Sequence, residues 1–265
     1  MTCATQPAFP ATDTMIQRML TSALFAGCAV GLLAALLHFA FVQKYVLLGE
    51  LYETGAVKHF SSGSAAENAS AAPESAHDHA NPGQHADGLA HEAHAHGPSP
   101  SDMTRNAYTV LFTVLVCSAY ALILVAGFGL AESFGPKIGA AEGMLWGLAG
   151  FASFQMAPAM GLAPELPGTI AADLGARQLW WWGTVAATAS ALALIGYGRK
   201  PWAILLAAIL LAAPHLIGAP QIDAYSGVAP PEVAAAFSAN VLGVGLMVWL
   251  CLGWVAGALW QRSAL

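Results

Sequence analysis

The chain has 265 residues, 57% of them hydrophobic and only 9% charged, with a formal net charge of −6. Soluble domains carry roughly 25% charged residues, so this composition cannot cover a water-soluble globule of that size. Nine Lys and Arg in the whole chain form no basic patch, which excludes a nucleic-acid partner.

The direct reading is all-α: a polytopic integral membrane helix bundle whose surroundings are a lipid bilayer. About 20 apolar residues carry a helix across the hydrocarbon core. Six spans are predicted, at 15–42, 107–130, 141–160, 179–197, 201–218 and 237–260. The fifth is short and ends at Pro214, so five spans are also possible.

Residues 1–14, MTCATQPAFPATDT, show no apolar period and are expected to form a disordered leader. Met15 opens a more typical membrane start, M-I-Q-R-M-L, and either Met1 or Met15 is the true start. Residues 15–60 hold the first helix and its extension. Its apolar run exceeds the 7–15 residues of a signal peptide and is read as retained.

Residues 61–102 are mostly Ala, Ser, Gly, Pro, Asn and His, a composition that cannot bury a core and is expected to be disordered. Six of the nine histidines fall here. They read His77, Asp78, His79, then His85, then His91, Glu92, His94 and His96. Neutral imidazole is the commonest side-chain metal ligand and suits Zn, Cu, Ni and Co. H-x-H spacing lets two rings reach one ion, and Asp78 and Glu92 add carboxylates. A flexible chain imposes no geometry, so such a loop concentrates ions better than it chooses among them. Protonation near the ordinary histidine value of ~6.5 displaces metal. Equilibrium dialysis is therefore expected to show metal held by this segment at pH 7 and lost at pH 5. Equal retention at both values contradicts the assignment.

Residues 103–265 are expected to form a bundle of about five helices. Ionisable groups inside a membrane are costly and mark pathways by default. His38 lies late in the first span, as a pathway group or an interhelical hydrogen-bonder. Glu50 and Glu53 follow in L-G-E-L-Y-E and share one face if the helix continues. They are candidate metal carboxylates at a membrane mouth, or an ordinary interfacial turn. In F-Q-M-A-P-A-M-G, Gln155 precedes Met156 and Met160, which share a face, and Pro158 is expected to kink the helix. Thioethers suit soft ions, although core packing explains them equally. Glu165 sits between two prolines in G-L-A-P-E-L-P-G, and three tryptophans follow in R-Q-L-W-W-W-G, read as an interfacial belt. His215 lies in P-H-L-I-G-A-P-Q with Asp223 just beyond, a pattern like the broken helices of transporter sites. His215 is the best single candidate for an intramembrane ligand.

Cys3, Cys28, Cys117 and Cys251 are isolated, with no C-x-x-C, and the last three read as small buried hydrophobes. No Walker A, H-E-x-x-H or G-x-S-x-G signature occurs, so no enzyme activity is expected. With six spans both termini share one side, together with Arg18, Lys137, Arg199, Lys200 and Arg262. Twelve of the fifteen acidic residues lie opposite. The expected orientation has cytoplasmic termini and an external His loop, in a bacterial inner membrane.

The opening M-I-Q-R-M-L, the L-Y-E after the first span, G-L-A-P-E-L-P-G, R-Q-L-W-W-W-G and P-H-L-I-G-A-P-Q together resemble the CbtA family of probable cobalt transporter subunits. The resemblance implies a multi-spanning protein, commonly of about five helices, associated with cobalamin-regulated cobalt uptake. It also implies a partner, CbtB, a small single-helix membrane protein with a His motif. Six spans and the long His loop depart from that pattern, and the loop is expected to broaden preference towards nickel or zinc. The resemblance carries no ligand assignment, so every site residue above comes from chemistry alone. No prosthetic group is expected; Co(II) or Ni(II) is the expected cargo. A non-transporting metal buffer or sensor is the alternative reading, and a membrane enzyme or assembly factor a third.

Overall fold

The computed structural model describes residues 11–58, 100–223 and 227–263. Among them the regular secondary structure is helical, apart from one isolated bridge between Thr169 and Gly227, with loops between the helices. A chain in lipid must satisfy its backbone within itself, and helices do so.

Helix α1 (Ala11–Leu37) runs through a π turn (His38–Val42) into α2 (Gln43–Glu53). Helix α3 is Pro100–Glu132. Helix α4 (Ala140–Phe151) passes through a second π turn (Ala152–Met156) into a last short turn, α5 (Ala157–Ala159). Then follow α6 (Leu174–Tyr197), α7 (Pro201–Ile217) and α8 (Pro231–Arg262). Residues 11–14, expected to be leader, are helical, and α3 begins inside the stretch expected to be loop.

Among the described residues four stretches are long and apolar enough to cross a membrane: Met15–Glu53, Asp102–Glu132, Leu174–Tyr197 and Pro231–Arg262. The other two expected spans are helical but not of that kind. Helix α7 has 17 residues, and the run from α4 to α5 is interrupted. The interruption has a local cause. Pro158 offers no N–H to the carbonyl four residues back and its ring crowds it, and the π turn just ahead absorbs the mismatch.

Helix direction alternates along the chain. Gly27 packs against Ser118 and Gly31 against Val114, so α1 and α3 are antiparallel. Helix α4 runs antiparallel to α8, Gly143 lying at Gly257 and Gly147 at Gly253. Helix α6 runs antiparallel to α4, with Trp181 on Phe154 and Tyr197 on Trp146. Trp180 at the start of α6 meets His215 at the end of α7. The start of α1 and the end of α8 therefore share one end of the bundle. The 54–58 and 160–173 segments and the start of α8 lie at the other end, called here the loop end.

Helix α8 is the hub, touching α1, α3 and α4, whereas α7 packs on α6 alone. The core is an aromatic block. Trp249 stacks on Phe154 at 5.6 Å and lies 4.7 Å from Tyr120, while Phe128 meets Trp146 edge-on at 5.7 Å.

Candidate functional site

The prolines and glycines of the 161–168 loop shape the loop end. Leu166 is buried against Val42 and Phe237, which pins the loop down. Ser238 donates to the Pro164 carbonyl at 2.7 Å, and Gly168 turns with φ +78°. Glu165 is thereby held over the first turns of α6. There the Arg177 guanidinium meets its carboxylate at 2.8 Å, the Arg177 side chain being 26% exposed and that of Glu165 34%. Asp173 caps the same helix, accepting from the Ala176 N–H at 2.9 Å.

Beneath this pair lies a cavity of about 390 Å³, lined by Gln155, Glu165, Arg177, Gln178, Trp181 and Trp182 among others. Gln155 enters from the second π turn and lies in the notch left by Gly245 of α8, where a Cβ would strike its amide. Its Oε1 is buried and has no hydrogen-bond partner. An orphaned buried acceptor costs about 1–3 kcal/mol and calls for a donor or a cation. The cavity is thus lined by a carboxylate residue and two glutamines, oxygen-bearing side chains of the kind that hold divalent cations weakly and leave them partly hydrated, while Gln155 Oε1 itself packs against Gly245 of α8. Arg177 competes for the same carboxylate.

The remaining nominated residues are dispersed. His215 is partly buried with its ring edge-on to Trp180, centroids 6.4 Å apart, and Trp180 Nε1 donates to the Pro214 carbonyl at 3.1 Å. Asp223 is exposed, and Gln221 Nε2 reaches the Gly161 carbonyl at 3.4 Å. Glu50 and Glu53 do share the α2 helix. Glu50, however, faces Arg105 at 3.3 Å, and that arginine also reaches Asp102 at 3.6 Å. Glu53 packs beside Gly168 of the Glu165 loop. His38 lies in the first π turn and lines an open groove with Arg105, Tyr108, Thr109 and Thr113. Met156 and Met160 are 44% and 70% exposed and do not line the cavity. Among the described residues no three His, Cys, Asp or Glu side chains stand close enough to hold a metal ion. His77, Asp78, His79, His85, His91, Glu92, His94 and His96 lie outside the described residues. The helices flanking that segment, α2 and α3, meet it at the loop end.

The tryptophan run is not a simple interfacial belt. Trp180 is a hydrogen-bonded strut, Trp181 lines the cavity, and only Trp182, 60% exposed, presents most of its ring outward. Sequence reasoning used Arg18 only as an orientation marker and Arg177 only as the opening of R-Q-L-W-W-W-G, and missed their partners. At the opposite end Arg18 donates to the Trp260 carbonyl at 2.7 Å and stacks 3.6 Å over its ring. Trp260 Nε1 donates to Glu132 at 3.0 Å, and Arg18 lies 3.8 Å from the same carboxylate. The one available signal was that each arginine sits within a turn of an apolar run, where a charge needs a partner.

A family model described as probable cobalt transporter subunit (CbtA) matches residues 16–261. No curated protein and no solved structure matches the chain.

Proposed function

Since the chain belongs to the CbtA family of probable cobalt transporter subunits, we propose that it is the multi-pass membrane subunit of a divalent transition-metal uptake system. Its cargo is Co(II), with Ni(II) as a second substrate. The observation that carries this reading is the loop-end cavity, lined by Glu165 and Gln155, with the Glu165 carboxylate held by Arg177 at its mouth.

Six passes are the reading most consistent with the alternating helices. At 1.5 Å per residue the α4–α5 run reaches about 30 Å and α7 about 26 Å, close to the hydrocarbon thickness. The lysines and arginines at the termini end support a cytoplasmic placement for it, in a bacterial inner membrane. The His-rich segment then faces outward and raises the local ion concentration beside the cavity. A hydrated ion enters and Glu165 exchanges Arg177 for the cation. Weak sites in series suit flux better than one tight cage. A small His-motif single-helix subunit is the expected partner, and the chain needs no prosthetic group and catalyses no reaction.

The test is accumulation of Co, Ni, Zn and Cu in cells expressing the chain with its partner gene. Cobalt uptake is expected to fall when residues 77–96 are deleted but not to vanish. Glu165→Gln is expected to lower it at least tenfold, about 1.4 kcal/mol or more, at unchanged membrane abundance. Metal bound by the intact protein with no flux of any of the four ions overturns the uptake reading in favour of a buffer or sensor.

A further inference from the structure

A second cavity, of about 920 Å³, lies near the termini end, between α3 and α6. The two helices do not touch, so the groove is open sideways, and α4 with Trp249 of α8 forms its back wall. We infer that this groove binds one anionic phospholipid, its acyl chain along the aromatic wall and its headgroup phosphate at Arg199.

Three observations support that occupant. The first is depth. The groove follows α3 from Ile123, α4 and the π turn after it from Glu142 to Ser153, and α6 from Ala189 to Tyr197. These lengths correspond to roughly 12–17 Å of helix, about half the hydrocarbon core. That suits a chain anchored in one leaflet and is too short for a partner helix, which would need the full thickness. The second is charge. Arg199 lines the groove, Lys200 follows it, and Lys137 lies between the lining residues Pro136 and Ile138. All three are exposed, and among the described residues none has an acidic partner. The one carboxylate in the wall, Glu142, accepts from the Gly139 N–H at 3.0 Å in capping its own helix. The third is the lining. Phe134 and Tyr197 meet at 6.4 Å and Trp146 and Tyr197 at 6.3 Å, which places flat apolar rings beside the polar end.

Native mass spectrometry of the purified full chain tests the site, with phosphatidylglycerol and phosphatidylcholine as probes. One phosphatidylglycerol is expected to be retained over phosphatidylcholine. Its affinity is expected to fall about fivefold for each cation removed in the series Arg199→Gln, Lys200→Gln, Lys137→Gln. Ala193→Trp fills the groove from an exposed position on α6 and is expected to remove the same lipid with all three charges intact. Equal retention of the two lipids overturns the proposal. So does loss in only one of the two variant sets, which would indicate surface charge alone or an apolar occupant alone. Metal uptake plays no part in this readout, so its failure leaves the transport reading untouched.

Discussion

Gly147→Leu is expected to abolish the folded bundle. Helices α4 and α8 touch backbone to backbone through four glycines. A Cβ on Gly147 would run into the Trp249 carbonyl and Gly253, and one on Gly253 into the Gly143 carbonyl and Gly147. Gly143 and Gly257 face each other one turn further on. In lipid, where no hydrophobic force distinguishes helix from solvent, this close approach is a main source of association. Overpacking costs about 1–3 kcal/mol where side chains can yield. Here the obstacle is main chain, so the helices must separate and the loss exceeds ~3 kcal/mol. The consequences spread, because the same interface seats Gln155 against Gly245 and forms the back wall of the lipid groove. Detergent-solubilised protein followed by fluorescence-detected size exclusion should show the monodisperse peak lost. Gly183→Leu and Gly243→Leu are the controls: nothing lies within 4 Å of either position, and both variants should keep the peak. A Gly147→Leu protein as stable as these controls would refute the packing.

Arg18→Met is expected to give the next largest loss, about 3 kcal/mol, or roughly 6–12 °C in Tm for a chain of this size. Arg18 ties three helices together at the termini end. It donates to the Trp260 carbonyl at 2.7 Å and to Ser263 Oγ at 3.1 Å, and stacks over the fully buried Trp260 ring. It also shares the Glu132 carboxylate with the Trp260 indole and the Ile138 N–H. Removing the guanidinium leaves a partly buried carboxylate with neutral donors alone, the costly way to break such a pair. Arg18→Lys should recover only part of the loss, because an ammonium cannot stack and donate along the same fork. A thermal-shift cycle with Glu132→Gln reads the coupling. Additive shifts in the double variant would show that the two side chains do not act together.

These two interfaces mark where sequence reasoning stopped. The helical class was legible, because apolar runs near twenty residues between polar turns leave few alternatives, but among the described residues only four of the six expected spans are long and apolar enough to cross a membrane. Gly143 and Gly147 let two helices touch, but nothing local in the sequence marks Gly253 and Gly257 as their partners. The π turns at His38 and Ala152 had no expectation attached, although Pro158 signalled a break. Glu165 was singled out for its proline-flanked loop, yet its state depends on Arg177, and that of Glu50 on Arg105, 55 positions away. Met156 and Met160 show the limit of periodicity. Their spacing predicts a shared face but not which neighbour, if any, that face meets.

Composition and run length by themselves determined that this chain is a membrane helix bundle, because backbone hydrogen bonds in lipid must close within each helix. Motif order pointed to its family. Only the tertiary structure decided which glycines interlock, which carboxylates are already claimed by arginines, and that Gln155 Oε1 is left without a partner. Those facts arise between residues from a dozen to just over a hundred positions apart, brought together by packing that no local pattern encodes.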